Sequence, residues 1–77
     1  MFETVTWVKP DKSFSQIMVE INQTGDDIEF ETGYLIKVND LIRRGHKPYV
    51  VYEVLGFGDE GNLPPFTVRC EPNKEGR

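Results

Sequence analysis

YLIKVNDLIRRGHKPYVVYEVL, residues 34–55, is the stretch whose reading decides the fold. Two apolar runs flank a breaker, Arg43-Arg44-Gly45-His46-Lys47-Pro48. The second run, Tyr49 to Leu55, has the β-branched and aromatic composition that suits a pleated strand. Alternation at period two sends Tyr49, Val51, Glu53 and Leu55 to one face and Val50, Tyr52 and Val54 to the other. Both sets are mostly apolar, which predicts a central strand covered on both sides. Pro48 has no N–H to donate and falls where a strand begins, a position that tolerates it.

Upstream of the breaker, Tyr34 to Val38 is expected to run as strand and Asn39-Asp40 to turn. Leu41 and Ile42 then form a brief strand or one helical turn. A longer helix over Tyr34 to Arg44 competes, with Leu35, Val38, Leu41 and Ile42 at helical spacing and Gly45 as its stop. Ile36, Val38 and the Asn-Asp pair oppose it. Before this lies Asp27 to Thr32, which alternates cleanly: Ile28 and Phe30 inward, Asp27, Glu29 and Glu31 outward. Gly33 ends it as a bulge or sharp bend. Thr24-Gly25-Asp26-Asp27 is a turn.

Phe14 to Asn22 supports two readings. At period two, Ser15, Ile17, Val19 and Ile21 line one side of a strand. At period 3.6, Phe14, Ile17, Met18 and Ile21 form a stripe, with Ser13 as N-cap and Gly25 as terminator. The first gives an all-β chain; the second gives α+β with a helix at 14–23. Three β-branched residues in five positions favour the strand. Phe2 to Lys9 also reads as strand, with Val5 and Trp7 on one face and Trp7 in the core. Pro10 opens a turn, at the first central position of type I.

Downstream, Gly56 to Asn62 is a loop with three glycines and no phosphate-cradling pattern. Phe57 stands between two of them, either folded over the barrel end or exposed as an anchor. Phe66 to Glu71 is the last strand, with Phe66, Val68 and Cys70 inward. Residues 1–72 are expected to form one domain, and residues 73–77 a disordered tail.

Composition narrows the function classes. The chain has 77 residues, enough for one thin core and little enclosed space. One cysteine excludes an internal disulfide, and one histidine with it excludes a four-ligand Cys/His zinc site. The first ten residues lack a basic segment followed by an apolar one, and no run is long enough to span a bilayer, so a soluble cytoplasmic protein is expected. No cofactor or metal is expected, and no acid, base and nucleophile converge in the pattern.

Net charge is −4, which disfavours general attraction to nucleic acid. The charges are segregated. Glu20 to Glu31 holds five acids and no base; Lys37 to Lys47 holds four bases and one acid. Asp26, Asp27, Glu29 and Glu31, with Phe57, are the candidate contacts for a protein partner of opposite charge, including one that itself binds nucleic acid. The row of carboxylates equally serves to keep a strand edge from pairing. Arg43, Arg44, His46 and Lys47, with Tyr34, Tyr49 and Tyr52 nearby, are the alternative: cations for phosphates and rings for bases. A thin core and an apolar edge make homo-oligomers a further expectation.

Val38-Asn39-Asp40-Leu41-Ile42, then Gly45, then Tyr49-Val50-Val51-Tyr52-Glu53-Val54 resembles the SH3-like small-barrel family, in which a V-x-D-x-I bend leads through a glycine hairpin into a Y-x-V-x-x-V strand. The likeness covers residues 37–54. It implies an all-β barrel of five or six strands and little about function, since the family spans ribosome-associated, phage and peptide-binding members. The family often has Gly where Asn39 stands. FETVTWV does not match the ALYDY motif of peptide-binding members, so proline-peptide recognition is not implied. The expectation is a non-enzymatic interaction domain, of the kind found in small phage or bacterial accessory and inhibitor proteins.

Overall fold

The computed structural model describes residues 1–73. Seven strands form one antiparallel sheet: β1 (Phe2–Val8), β2 (Phe14–Glu20), β3 (Asn22–Thr24), β4 (Asp27–Thr32), β5 (Leu41–Arg44), β6 (Lys47–Phe57) and β7 (Leu63–Pro72). Their order across the sheet is β2-β1-β5-β6-β7-β4-β3. β2 and β3 stand at opposite margins, yet only Ile21 separates them in the chain. One residue spans about 3.3 Å, so the sheet must curl until its margins meet at that point. The result is an open half-barrel. β2 and β3 form no ladder with each other. The expected closed barrel of five or six strands is corrected on both counts.

Phe14 to Glu20 is strand, and no helix occurs among the described residues, so the α+β alternative fails. Ile17 and Val19 point in and Phe14, Gln16, Met18 and Glu20 point out, at period two. The core is what this curl encloses: Val5, Trp7, Ile17, Val19, Ile28, Phe30, Ile36, Ile42, Tyr49, Val51, Phe66, Val68 and Cys70. Burying such apolar surface is the main force holding so small a sheet together.

The turns follow their residues. Lys12 N–H donates to Lys9 O at 2.8 Å, which puts Pro10 at the first central position as expected. Lys12 then takes φ +73, the left-handed residue that closes a three-residue hairpin loop. Asp11 accepts from the Ser13 hydroxyl at 2.6 Å and the Ser13 N–H at 2.9 Å. Those two bonds hold its pKa below the usual carboxylate value. Gly25 and Gly45, at φ +62 and +64, each open a two-residue hairpin loop.

Tyr34 to Val38 is not strand. The chain bends at Gly33 and Tyr34 and crosses the barrel end as an irregular loop that buries only Ile36. Its polar groups are met locally: Thr32 Oγ1 accepts from Tyr34 N–H at 3.2 Å, and Asp40 Oδ2 accepts from Lys37 N–H at 3.1 Å. Asn39 sits at φ +81, a conformation Gly adopts freely and Asn tolerates better than most residues. Its N–H and the Asp40 carbonyl bracket Val51, donating to Val51 O at 2.8 Å and accepting from Val51 N–H at 2.9 Å.

β6 is the central strand, but it is not covered on both sides. Tyr49 and Val51 are buried, while Tyr52 and Leu55 are exposed. Val51 pairs with Cys70 and Glu53 with the adjacent Arg69, leaving Tyr52 as an extra residue. This β-bulge reverses the alternation. Beyond it Val54, opposite Val68, packs against the core, and Glu53 and Leu55 turn outward.

The last strand is longer than expected, from Leu63 to Pro72. The tail expected from residue 73 lies outside the described residues except for Asn73, whose N–H donates to Pro48 O at 3.0 Å.

Gly56 is held by close approach. A β-carbon there would lie 2.6 Å from the Gly61 carbonyl oxygen, 2.8 Å from that of Leu63 and 2.9 Å from Phe66 Cδ1. Gly56→Ala is expected to cost about 1–3 kcal/mol through overpacking. A urea melt reads it; an unchanged midpoint would show that the β6–β7 tip has room to spare.

Candidate functional site

Two registers set side by side build the outer surface of β4, β7 and β6. Arg69 lies between Glu29 on β4 and Glu53 on β6. Thr67, two residues earlier on β7, lies between Glu31 and Leu55. Residues opposite each other in a ladder share a face. Phe57 pairs with Leu63 beyond a second register shift, between Leu55 and Phe57, and both side chains are exposed. Phe57 is 61% exposed and is not folded over the barrel end.

The surface is therefore acidic at one end and apolar at the other. Arg69 Nε donates to Glu29 Oε1 at 3.0 Å, and its terminal nitrogen donates to Glu53 Oε1 at 2.8 Å. These two bonds, that to Glu29 first, raise the guanidinium pKa. Both bridges are partly exposed and screened by water, so they add little to stability. Tyr52 donates its hydroxyl to Asp27 Oδ2 at 3.2 Å. Partial burial of its ring, and then this bond, push the phenol pKa up. Thr24, Asp27, Ile28, Glu29, Tyr52 and Arg69 line a shallow depression here. Two carboxylates, Glu29 and Glu53, thus hold one guanidinium, with Asp27 bonded to Tyr52 and Glu31 opposite Thr67 on the same surface. Asp26 stands beside them, exposed in the β3–β4 turn.

The carboxylate row is not an edge guard along its whole length. β3 covers Asp27 to Glu29 on one side and β7 covers Ile28 to Thr32 on the other. Only Phe30 to Thr32 lack a ladder partner on the β3 side.

The fold engages one member of the basic hairpin, Arg44, and leaves Arg43, His46 and Lys47 exposed. Arg44 reaches back across the barrel end, donating to Glu3 Oε1 at 2.9 Å, Glu3 Oε2 at 3.0 Å and Gln23 Oε1 at 3.0 Å. The bonds to Glu3 are the chief reason its pKa is raised. Arg43, His46 and Lys47 are exposed, with the Lys47 ammonium 5.8 Å from the Tyr49 ring centre. The expected ring platform is absent among the described residues: Tyr49 is fully buried, Tyr52 turns to Asp27, and Tyr34 tilts against Trp7 at 6.0 Å. The Tyr49 hydroxyl is near enough to Arg44 to help raise that pKa, yet it makes no well-formed hydrogen bond.

Sequence reasoning missed the network under the Gly33–Asp40 loop. Asp40 is buried and accepts from the Trp7 indole N–H at 2.9 Å as well as from Lys37. The Lys9 ammonium sits 4.7 Å over the Trp7 ring. Nothing in local spacing links positions so far apart in the chain. Among the described residues, no group of His, Cys, Asp and Glu is placed to hold a metal ion.

Cys70 is fully buried, and burial, with a smaller contribution from the Asp27 charge, pushes its thiol pKa up to about 12. A thiol reagent at about pH 8 is expected to react roughly a thousandfold more slowly with the native protein than with the unfolded chain. Rapid stoichiometric labelling of the native form would contradict that burial.

No family model matches the chain, and no curated protein or solved structure matches it either.

Proposed function

We propose that the chain is a non-enzymatic interaction domain that binds a basic protein partner through the outer surface of β4, β7 and β6. One observation carries this. Register places Glu29, Glu31 and Glu53 on the same side of the sheet as Leu55, Asp27 alternates with Glu29, and the exposed Phe57 and Leu63 pair just beyond a second register shift. Carboxylates steer a cationic segment, while exposed apolar side chains supply the area that holds it. The net charge of −4 acts in the same direction. The SH3-like likeness of residues 37–54 belongs to this reading; the left-handed Asn39 at the place of the family's Gly supports it. A small phage or bacterial accessory or inhibitor protein, acting on a nucleic-acid-binding partner in the cytoplasm, would use such a surface.

Affinity capture from the native source tests it, with wild type compared against Asp27→Lys/Glu31→Lys and against Phe57→Ser. A basic protein retained by wild type at low salt is expected to be lost with the double charge reversal and weakened by Phe57→Ser. Equal retention by all three forms would end the proposal.

A further inference from the structure

We infer that the partner of the β4, β7 and β6 surface presents an arginine, not a lysine, and that its guanidinium lies against Tyr52 between Asp27 and Glu29. The inference rests on the reading that this surface takes a basic protein. Two side-chain bridges cross β7 side by side. Tyr52, the extra residue of the bulge in β6, reaches Asp27 on β4, and Glu53 is joined to Glu29 through Arg69. Members of both bridges line the shallow depression, with Thr24 of β3 beside them.

The lining is rich in acceptors that the fold leaves unused. Asp27 accepts from Tyr52 through Oδ2, and Glu29 accepts from Arg69 through Oε1. Among the described residues, their second oxygens and the Thr24 hydroxyl make no hydrogen bond. The Tyr52 oxygen donates its one proton and keeps its lone pairs. Arg69 is the one cation in the lining, and Glu29 and Glu53 outnumber it before Asp27 and the nearby Asp26 are counted. What fits is a cation whose donors are spread in a plane. A guanidinium carries five N–H groups in a flat fork and stacks on aromatic faces; an ammonium is a compact, more strongly hydrated point with three. The Tyr52 ring, 42% exposed, is the flat wall that the fork lies against. On an extended partner, side chains two residues apart share a face at a spacing of about 7 Å. The same two-residue step separates the Glu29, Arg69 and Glu53 row from the Glu31, Thr67 and Leu55 row. An apolar side chain two residues from the arginine therefore lands on Leu55, which is exposed.

An amide NMR titration of the wild-type chain with the peptide acetyl-Thr-Leu-Thr-Arg-Thr amide tests this. Signals of Asp27, Glu29, Tyr52 and Arg69 are expected to shift and saturate. The peptide with lysine for arginine should bind at least about threefold more weakly, and the one with citrulline, flat but uncharged, about tenfold more weakly. Asp27→Asn keeps an acceptor for Tyr52 and should weaken the arginine peptide about fivefold. Tyr52→Leu should erase the preference for arginine over lysine. Equal affinity of wild type for the arginine and lysine peptides would overturn the inference and leave the basic-protein reading standing. Shifts confined to other parts of the chain, or none with either cationic peptide up to about 5 mM, would overturn it as well. Retention or loss of a basic protein in the capture experiment then decides that reading separately.

Discussion

Phe30→Ala is expected to cost about 3–5 kcal/mol and to leave the chain largely unfolded at room temperature. Phe30 is 1% exposed, lies opposite Val68, and belongs to the short strand β4 beside the unclosed margin of the sheet. Its ring is one of the largest fully buried groups. No second layer stands behind it to collapse into the space, because one curled sheet supplies both walls of the core. A domain of this size has only a few kilocalories per mole in reserve. Phe30→Leu keeps most of the volume and should leave a folded protein with a lowered melting temperature. Circular dichroism and a thermal melt distinguish the two. A folded alanine variant losing less than about 1 kcal/mol would mean that the core is looser than described.

Asp40→Ala should cost about 2–4 kcal/mol, more than any single surface contact here. The carboxylate is 4% exposed and accepts from both Trp7 Nε1 and the Lys37 N–H through the same oxygen. Removing it strands two donors under the loop that caps the barrel end. Bonds of neutral donors to a charged acceptor are among the stronger ones, so the loss exceeds that of an ordinary hydrogen bond. Asp40→Asn retains an acceptor oxygen and should recover roughly half of the loss. The urea midpoint measures stability, and Trp7 fluorescence reports the site itself. An alanine variant as stable as wild type would show that the loop is not anchored through Asp40.

What the residues revealed in advance was the local pattern. Alternation in Asp27 to Thr32 and in Phe66 to Cys70 was enough to assign the inward sides, and Pro10 and Gly45 marked their turns. The tertiary pairings were not readable. Tyr34 to Val38 has the composition of a strand, but Thr32 and Asp40 satisfy its backbone outside the sheet. The strand count rose because Phe14 to Thr24 breaks at Ile21 into pieces that join opposite margins.

The candidate surface shows the same division. Its carboxylates and Phe57 could be named from the sequence, but their common face depends on β7 lying between β4 and β6. Arg44 looked free because Glu3 and Gln23, which bind it, are remote in the chain. Most of all, Val50-Val51-Tyr52-Glu53-Val54 carries no glycine or proline to betray the extra residue at Tyr52. Uninterrupted alternation would have set Leu55 in the core and Val54 outside.

That reversal creates the acidic and apolar surface, and side-chain proton contacts in solution test it most directly. A carbon-edited nuclear Overhauser spectrum should connect the Val54 methyls to Val68 and show Leu55 without contacts to Phe66 or Val68. Strong contacts from Leu55 to those core residues, with Val54 exposed, would contradict the bulge and with it the surface assigned to binding.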